Sequence, residues 1–140
     1  MQSTTHQEAT IITLLEQVLN KVYPSLRNFP KHEKYVLSQA IRNYFIDSIS
    51  SLHLAIKVPS KRVVYAQEAD AKVSSLKVSF RLAFNQRYIN QGYYEELSVL
   101  LTRISNLLNT YIKTTIKITS NKKIVKVEYN ENNKTGSNAK

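Results

Sequence analysis

Apolar residues recur at spacings of three and four along four successive stretches of the chain, the period of amphipathic helices. In the first, about 8–26, the stripe is Ile11, Leu15, Val18, Leu19, Val22 and Leu26. Pro24 predicts an end or bend near Tyr23, because proline lacks the ladder N–H and crowds the preceding turn. A second stretch, about 32–56, carries Leu37, Ile41, Tyr44, Phe45, Ile49, Leu52 and Ile56 and stops at Val58-Pro59. Ser60 is placed to cap a third, about 61–90, in which Ala66, Ala69, Val73, Leu76, Phe80 and Ala83 keep the most regular spacing in the chain. Gly92 separates it from a fourth, about 93–116, striped by Leu97, Leu100, Leu101, Ile104, Leu107, Leu108, Tyr111 and Ile112. Glu95 and Glu96 are expected in its first turn, where carboxylates meet the positive end of the helix macrodipole.

Four amphipathic helices with short connections predict an all-α, up-down-up-down four-helix bundle over 8–117, after a flexible start at 1–7. The region 118–140 changes character, turning basic and polar. Ile116-Lys-Ile-Thr and Ile124-Val-Lys-Val-Glu-Tyr129 alternate around Ser120-Asn-Lys-Lys, a pattern compatible with a short hairpin, and disorder is expected from Asn130 onward. No internal repeat is present.

Composition narrows the chemistry. With 140 residues and 42% apolar positions there is room for one core, and the lack of cysteine removes disulfides, thiolate metal sites and cysteine nucleophiles. Every hydrophobic segment is interrupted well short of the roughly 18–20 residues of a membrane span, and the polar start lacks a leader pattern. A cytoplasmic protein without a membrane partner is expected. Bundles often hold metals or haem, yet His6, His32 and His53 are scattered, none follows a glutamate by three, and Met1 is the lone methionine. His53 reads as a partly buried, hydrogen-bonded side chain. Two isolated glycines make neither a P-loop nor a dinucleotide fingerprint, and no serine or threonine has a base at a recognisable spacing. The expectation is a non-enzyme with no cofactor.

Charge is the positive clue. The formal net charge is +10, and between Asp70 and Lys117 seven basic residues (Lys72, Lys77, Arg81, Arg87, Arg103, Lys113, Lys117) meet only Glu95 and Glu96. Lys77 and Arg81 lie one helical turn apart beside the third stripe, a local cationic spot that suits a phosphate as well as it suits a solvated rim. Arg42 and Lys34 on the second helix and Lys72 on the third are weaker candidates by charge. Tyr44, Tyr65, Phe84, Tyr88 and Tyr94 fall outside a narrow seam, as subunit-interface aromatics do.

Tyr23-Pro-Ser-Leu-Arg-Asn-Phe-Pro30, Tyr65-Ala and Ala69-Asp-Ala-Lys-Val-Ser-Ser-Leu-Lys-Val-Ser-Phe-Arg81 resemble the accessory variability determinant proteins of diversity-generating retroelements. The wider group includes the four-helix proteins encoded in intervening sequences of bacterial 23S ribosomal RNA genes. The resemblance covers roughly 8–115. It implies a homopentameric barrel with a basic surface that binds RNA or an RNA–DNA hybrid and associates with the retroelement reverse transcriptase in mutagenic retrohoming. Lys77 and Arg81 fall where that family carries basic residues on its third helix, so the resemblance implies nucleic-acid or polymerase contact there. Two alternatives stay open: an RNA-associated bundle of the intervening-sequence type with no polymerase, and an oligomeric interaction scaffold.

Overall fold

The computed structural model describes residues 4–137, with side chains from 6 to 132. Helix α1 spans Thr4–Leu26, α2 Leu37–Lys57, α3 Arg62–Asn85 and α4 Gln91–Ser137, with short 3-10 turns at Lys31–Glu33 and Pro59–Lys61. Each helix packs on its sequence neighbours and α1 closes against α4, which makes a four-helix bundle. No strand occurs among the described residues.

The predicted stripes form the core, except that Leu107 of the fourth is exposed. Ile11, Leu15, Val22, Ile41, Phe45, Leu52, Val73, Leu76, Leu97, Leu101, Ile104 and Leu108 are all buried. Helices α2 and α3 share the most extensive contact. Ser48, Ser51 and Ala55 on α2, with Ala66, Ala69, Ser79 and Ala83 on α3, are buried and small enough to let the two backbones approach closely. Phe45 and Phe80 meet edge to face, 6.4 Å between centroids, and fill the space between these small residues. Buried serines return their hydroxyls to the backbone: Ser48 donates to the Phe45 carbonyl at 2.9 Å and Ser79 to that of Ser75 at 2.8 Å.

Helix ends differ from the sequence-based expectations in several places, and α2 begins at Leu37 rather than near His32, which lies in the separate 3-10 turn Lys31–Glu33. Pro24 lies inside the last turn of α1, close enough to the end that the helix reaches Leu26. The Arg27 N–H then donates to the Pro24 carbonyl (3.2 Å) and the Asn28 N–H to that of Ser25 (3.1 Å). Ser60 does not cap α3. It lies inside the turn begun by Pro59, and Lys61 occupies the cap position with no side-chain hydrogen bond. Helix α3 stops at Asn85 rather than near Asn90, because Arg87 adopts a left-handed φ of 65°. The Tyr88 N–H reaches back to the Ala83 carbonyl and the Arg87 N–H to that of Phe84, both at 2.9 Å, the paired bonds of a Schellman ending. Asn90 caps α4 through Oδ1, which accepts from the Tyr93 N–H at 2.8 Å. Gly92 falls inside the helix, and Glu95 and Glu96 lie beyond its first turn.

The largest correction concerns the region after Ile116. The proposed hairpin is absent, and α4 continues without a break to Ser137, through the stretch from Asn130 expected to be disordered. Residues 138–140 lie outside the described part, as does the start of the stretch 1–7, whose later residues belong to α1. An isolated two-stranded ribbon is marginal in water, whereas a helix already nucleated by packing extends at the small cost of propagation.

Candidate nucleic-acid interface

The five basic residues singled out from the sequence fall into two groups. Lys72, Lys77 and Arg81 ride on α3, and Arg42 on α2 and Lys34 in the preceding turn belong to the α1–α2 side. Arg81 and Lys34 are exposed, and the other three are half-buried.

On α3, Lys72 places its ammonium 5.9 Å from the centre of the Tyr44 ring, a cation–π contact across the α2–α3 seam. Tyr44, Ser74, Ser75, Val78 and Ser79 line a shallow depression of about 280 Å³ beside it. Lys77 and Arg81 sit within one turn of Ser74 and Val78, so three cations and three serines, Ser74, Ser75 and Ser79, share this stretch of helix. Asp70 lies at the far end of the stretch. Burial raises its carboxyl above the ordinary range, and the Lys77 ammonium acts against that rise. Arg81 is the exposed member of the three and therefore the most outward cation of the set.

On the other side, the guanidiniums of Arg27 and Arg42 both approach the Tyr23 ring, at 6.0 and 5.9 Å. One exposed ring thus gathers two guanidiniums, the side chains whose planar fork suits bidentate phosphate binding. Sequence reasoning named Arg42 and missed Arg27 and Tyr23 as its companions. Tyr23 lies in the last turn of α1 and Arg27 in the turn just after it, so a spacing of four was the local sign, and the approach of Arg42 from another helix left none.

Several expectations about other residues need correcting. His53 is exposed rather than partly buried. Tyr44, Phe84, Tyr88 and Tyr94, read as interface aromatics, pack against this chain's own core. Phe84 and Tyr94 stack at 4.8 Å with planes 4° apart, and Phe29 meets Tyr88 at 5.5 Å. Tyr65 is half-buried. The exposed apolar side chains lie elsewhere, at Ile46, Leu54, Val78, Leu82, Val99 and Leu107.

A buried polar cluster at the opposite end of the bundle went unread in the sequence. Glu8 on α1 is fully buried, its Oε1 accepts a hydrogen bond from the Tyr111 hydroxyl of α4, and Arg62 Nε of α3 lies 3.3 Å away. Arg62 Nε also donates to the Ala55 carbonyl at 3.4 Å, so one contact set ties all four helices. Burial raises the Glu8 carboxyl, against the lowering effects of the Tyr111 hydrogen bond and the Arg62 charge. The Tyr111 hydroxyl is pushed up as well, chiefly by burial. Among the described residues, no group of three or more histidine or carboxylate side chains is arranged to hold a metal ion. No described helix is long and apolar enough to cross a membrane.

Comparison with curated proteins gives no significant match. A family model does match: the bAvd-like model, four helices long, covers residues 9–115, which is the packed bundle without the distal half of α4. The chain therefore belongs to the bAvd-like family, the bacterial accessory variability determinants.

Proposed function

We propose that this protein is a non-catalytic accessory subunit of a diversity-generating retroelement, binding RNA or an RNA–DNA hybrid together with the retroelement reverse transcriptase. Membership of the bAvd-like family over 9–115 carries this reading, since that is not a known catalytic family. Three features of the molecule support it. The net charge of +10 favours a polyanionic partner. Lys72, Lys77 and Arg81 lie along one stretch of α3, and Arg27 and Arg42 are held on Tyr23. Aromatic contacts reduce the freedom of these cations, so less side-chain entropy is lost when phosphate binds.

Self-association is the second part of the proposal. Val78 and Leu82 on α3, Val99 and Leu107 on α4, and Ile46 and Leu54 on α2 leave apolar surface on three helices. A homopentameric barrel would cover part of it and repeat the cationic stretch around one axis, turning weak single contacts into a multivalent surface. Light scattering of the full chain is expected to give a mass five times that of the subunit, and a monodisperse monomer at micromolar concentration would overturn the barrel.

The binding assignment is tested by replacing Lys77 and Arg81 together with Ala and measuring RNA affinity across a salt series. The expected result is unchanged helical content, weaker binding, and a salt slope smaller by about 0.7–0.9 for each lost phosphate contact. Wild-type affinity with an unchanged slope would remove these residues from the interface. Affinity purification from the native cell at moderate salt tests the partner: a reverse transcriptase with its template RNA is expected, and ribosomal RNA without a polymerase would favour the intervening-sequence relationship.

A further inference from the structure

The stripe that faces the core of α4 continues after the other helices end. Leu97, Leu101, Ile104, Leu108, Tyr111 and Thr115 are buried at alternating spacings of four and three, and the same register runs on through Ile118, Lys122, Val125 and Tyr129. All side chains from 116 to 132 are exposed. Ile118, Asn121, Lys122, Val125, Lys126 and Tyr129 line a shallow groove along this face. At its base it joins a notch of about 480 Å³ where Lys61, Arg62 and Val64 of the α3 start face Thr115, Ile118 and Lys122 of α4. The two concavities share Ile118 and Lys122, so they form one continuous surface.

This surface has a definite chemistry. It offers apolar side chains at helix-packing intervals, and its lining contains Lys61, Arg62, Lys122 and Lys126 with no aspartate or glutamate. The segment is also rich in β-branched residues (Ile116, Ile118, Thr119, Ile124, Val125, Val127), which are mediocre helix formers when nothing packs on them. We infer that the distal half of α4 is a docking helix for an acidic amphipathic helix of another protein. That partner would lay its apolar face against Ile118, Val125 and Tyr129 and set carboxylates beside Lys122, Lys126 and Lys61.

The charges choose among occupants. Lys122 stands on the seam itself, so a second copy packed in parallel register would oppose Lys122 to Lys122, a like-charge pair that disfavours self-pairing. RNA would satisfy the lysines and has one ring to stack on, Tyr129, but it would leave Ile118 and Val125 uncovered, since neither presents a ring for base stacking. The helical stripe of this surface, Ile118 to Tyr129, lies beyond the family-matched residues 9–115, and only its base at Lys61, Arg62, Val64 and Thr115 lies within them, so this inference stands apart from the proposed retroelement role.

The test uses the full chain and two labelled, designed helical peptides, identical in their leucine seam and differing only in flanking glutamates or flanking lysines. Fluorescence anisotropy at about 0.1 M salt, where surface charges are only partly screened, is expected to show the acidic peptide binding at least ~10-fold more tightly than the basic one. Val125→Asp should abolish binding, and Lys122→Glu with Lys126→Glu should reverse the preference, with circular dichroism confirming an intact bundle in each variant. Equal binding of both peptides, or no binding of the acidic one, overturns the proposal. So does self-association lost in Val125→Asp, or a uridine oligonucleotide or anionic phosphatidylglycerol vesicle captured by the wild type and released by the double lysine variant.

Discussion

Helix α4 is two helices in physical terms, although its backbone makes no distinction. From Leu97 to Tyr111 its stripe is buried by α1 and α3, and from Ile116 to Tyr129 the same register is open to water. A period of three and four therefore specifies which face is apolar and says nothing about what covers it. The matched family residues end at 115, where the cover ends, so the proximal half lies within the family-matched bundle and the distal half lies beyond it.

The largest effect that separates the halves is a cavity. Phe80→Ala removes a ring wedged against Phe45 and bordered by small residues that cannot collapse inward, and it is expected to cost about 3–5 kcal/mol. Val125→Ala, on the open half, should change unfolding by under about 0.5 kcal/mol. Chemical denaturation with two-state analysis checks both, and hydrogen exchange adds a spatial readout: amides around Leu101–Leu108 are expected to be protected far longer than those around Lys122–Tyr129. Equal protection along α4 would show that the distal half is packed in solution.

A comparison of the bundle's core with its buried polar end comes next in size. Tyr111→Phe keeps the packing and removes the donor to Glu8, leaving a buried carboxylate with one fewer partner, at an expected cost of about 1–3 kcal/mol. The pH dependence follows from the direction of the Glu8 shift. Its folded value lies above the ordinary 4.5, so the fold favours the protonated form. That contribution is complete below 4.5 and is lost as pH rises through the folded value. Wild type should therefore lose stability relative to Glu8→Gln as pH rises through that window. In Tyr111→Phe, where a lowering influence is gone, the upper end of the window should move to higher pH while its lower end stays at 4.5. A wild-type to Glu8→Gln difference that stays constant with pH would show that Glu8 does not titrate differently on folding.

These contrasts mark what the sequence could and could not convey. Four stripes from Ile11 to Tyr111 were legible because helical period is a local property, and so was the cationic stretch of Lys72, Lys77 and Arg81. Glu8 gave no local sign, since its hydrogen-bond partner is 103 positions away. The hairpin expectation failed because alternation over a few residues is weak evidence against a helix already started upstream. Arg27 was overlooked because its importance depends on Tyr23 and on Arg42 of another helix. The end of α3 was misplaced because the residue in the left-handed conformation is Arg87, and arginine carries none of the usual mark of such a position.

That misplaced end also supplies the smallest and cleanest contrast, between a stop made by packing and one made by backbone preference. At φ 65° the Cβ of Arg87 crowds the neighbouring carbonyl, a strain that glycine escapes. The Schellman bonds nonetheless form, held by Tyr88 packing against Phe29 on the neighbouring turn. Arg87→Gly should relieve the strain and raise stability by about 0.5–1 kcal/mol, less any entropy that glycine adds to the unfolded chain. Arg87 lies in the turn beyond α3 and outside the set Lys72, Lys77 and Arg81, so the same variant should change RNA affinity by no more than the loss of one exposed charge. Destabilisation by Arg87→Gly in thermal melts would mean that the arginine side chain contributes more at this turn than its backbone strain removes.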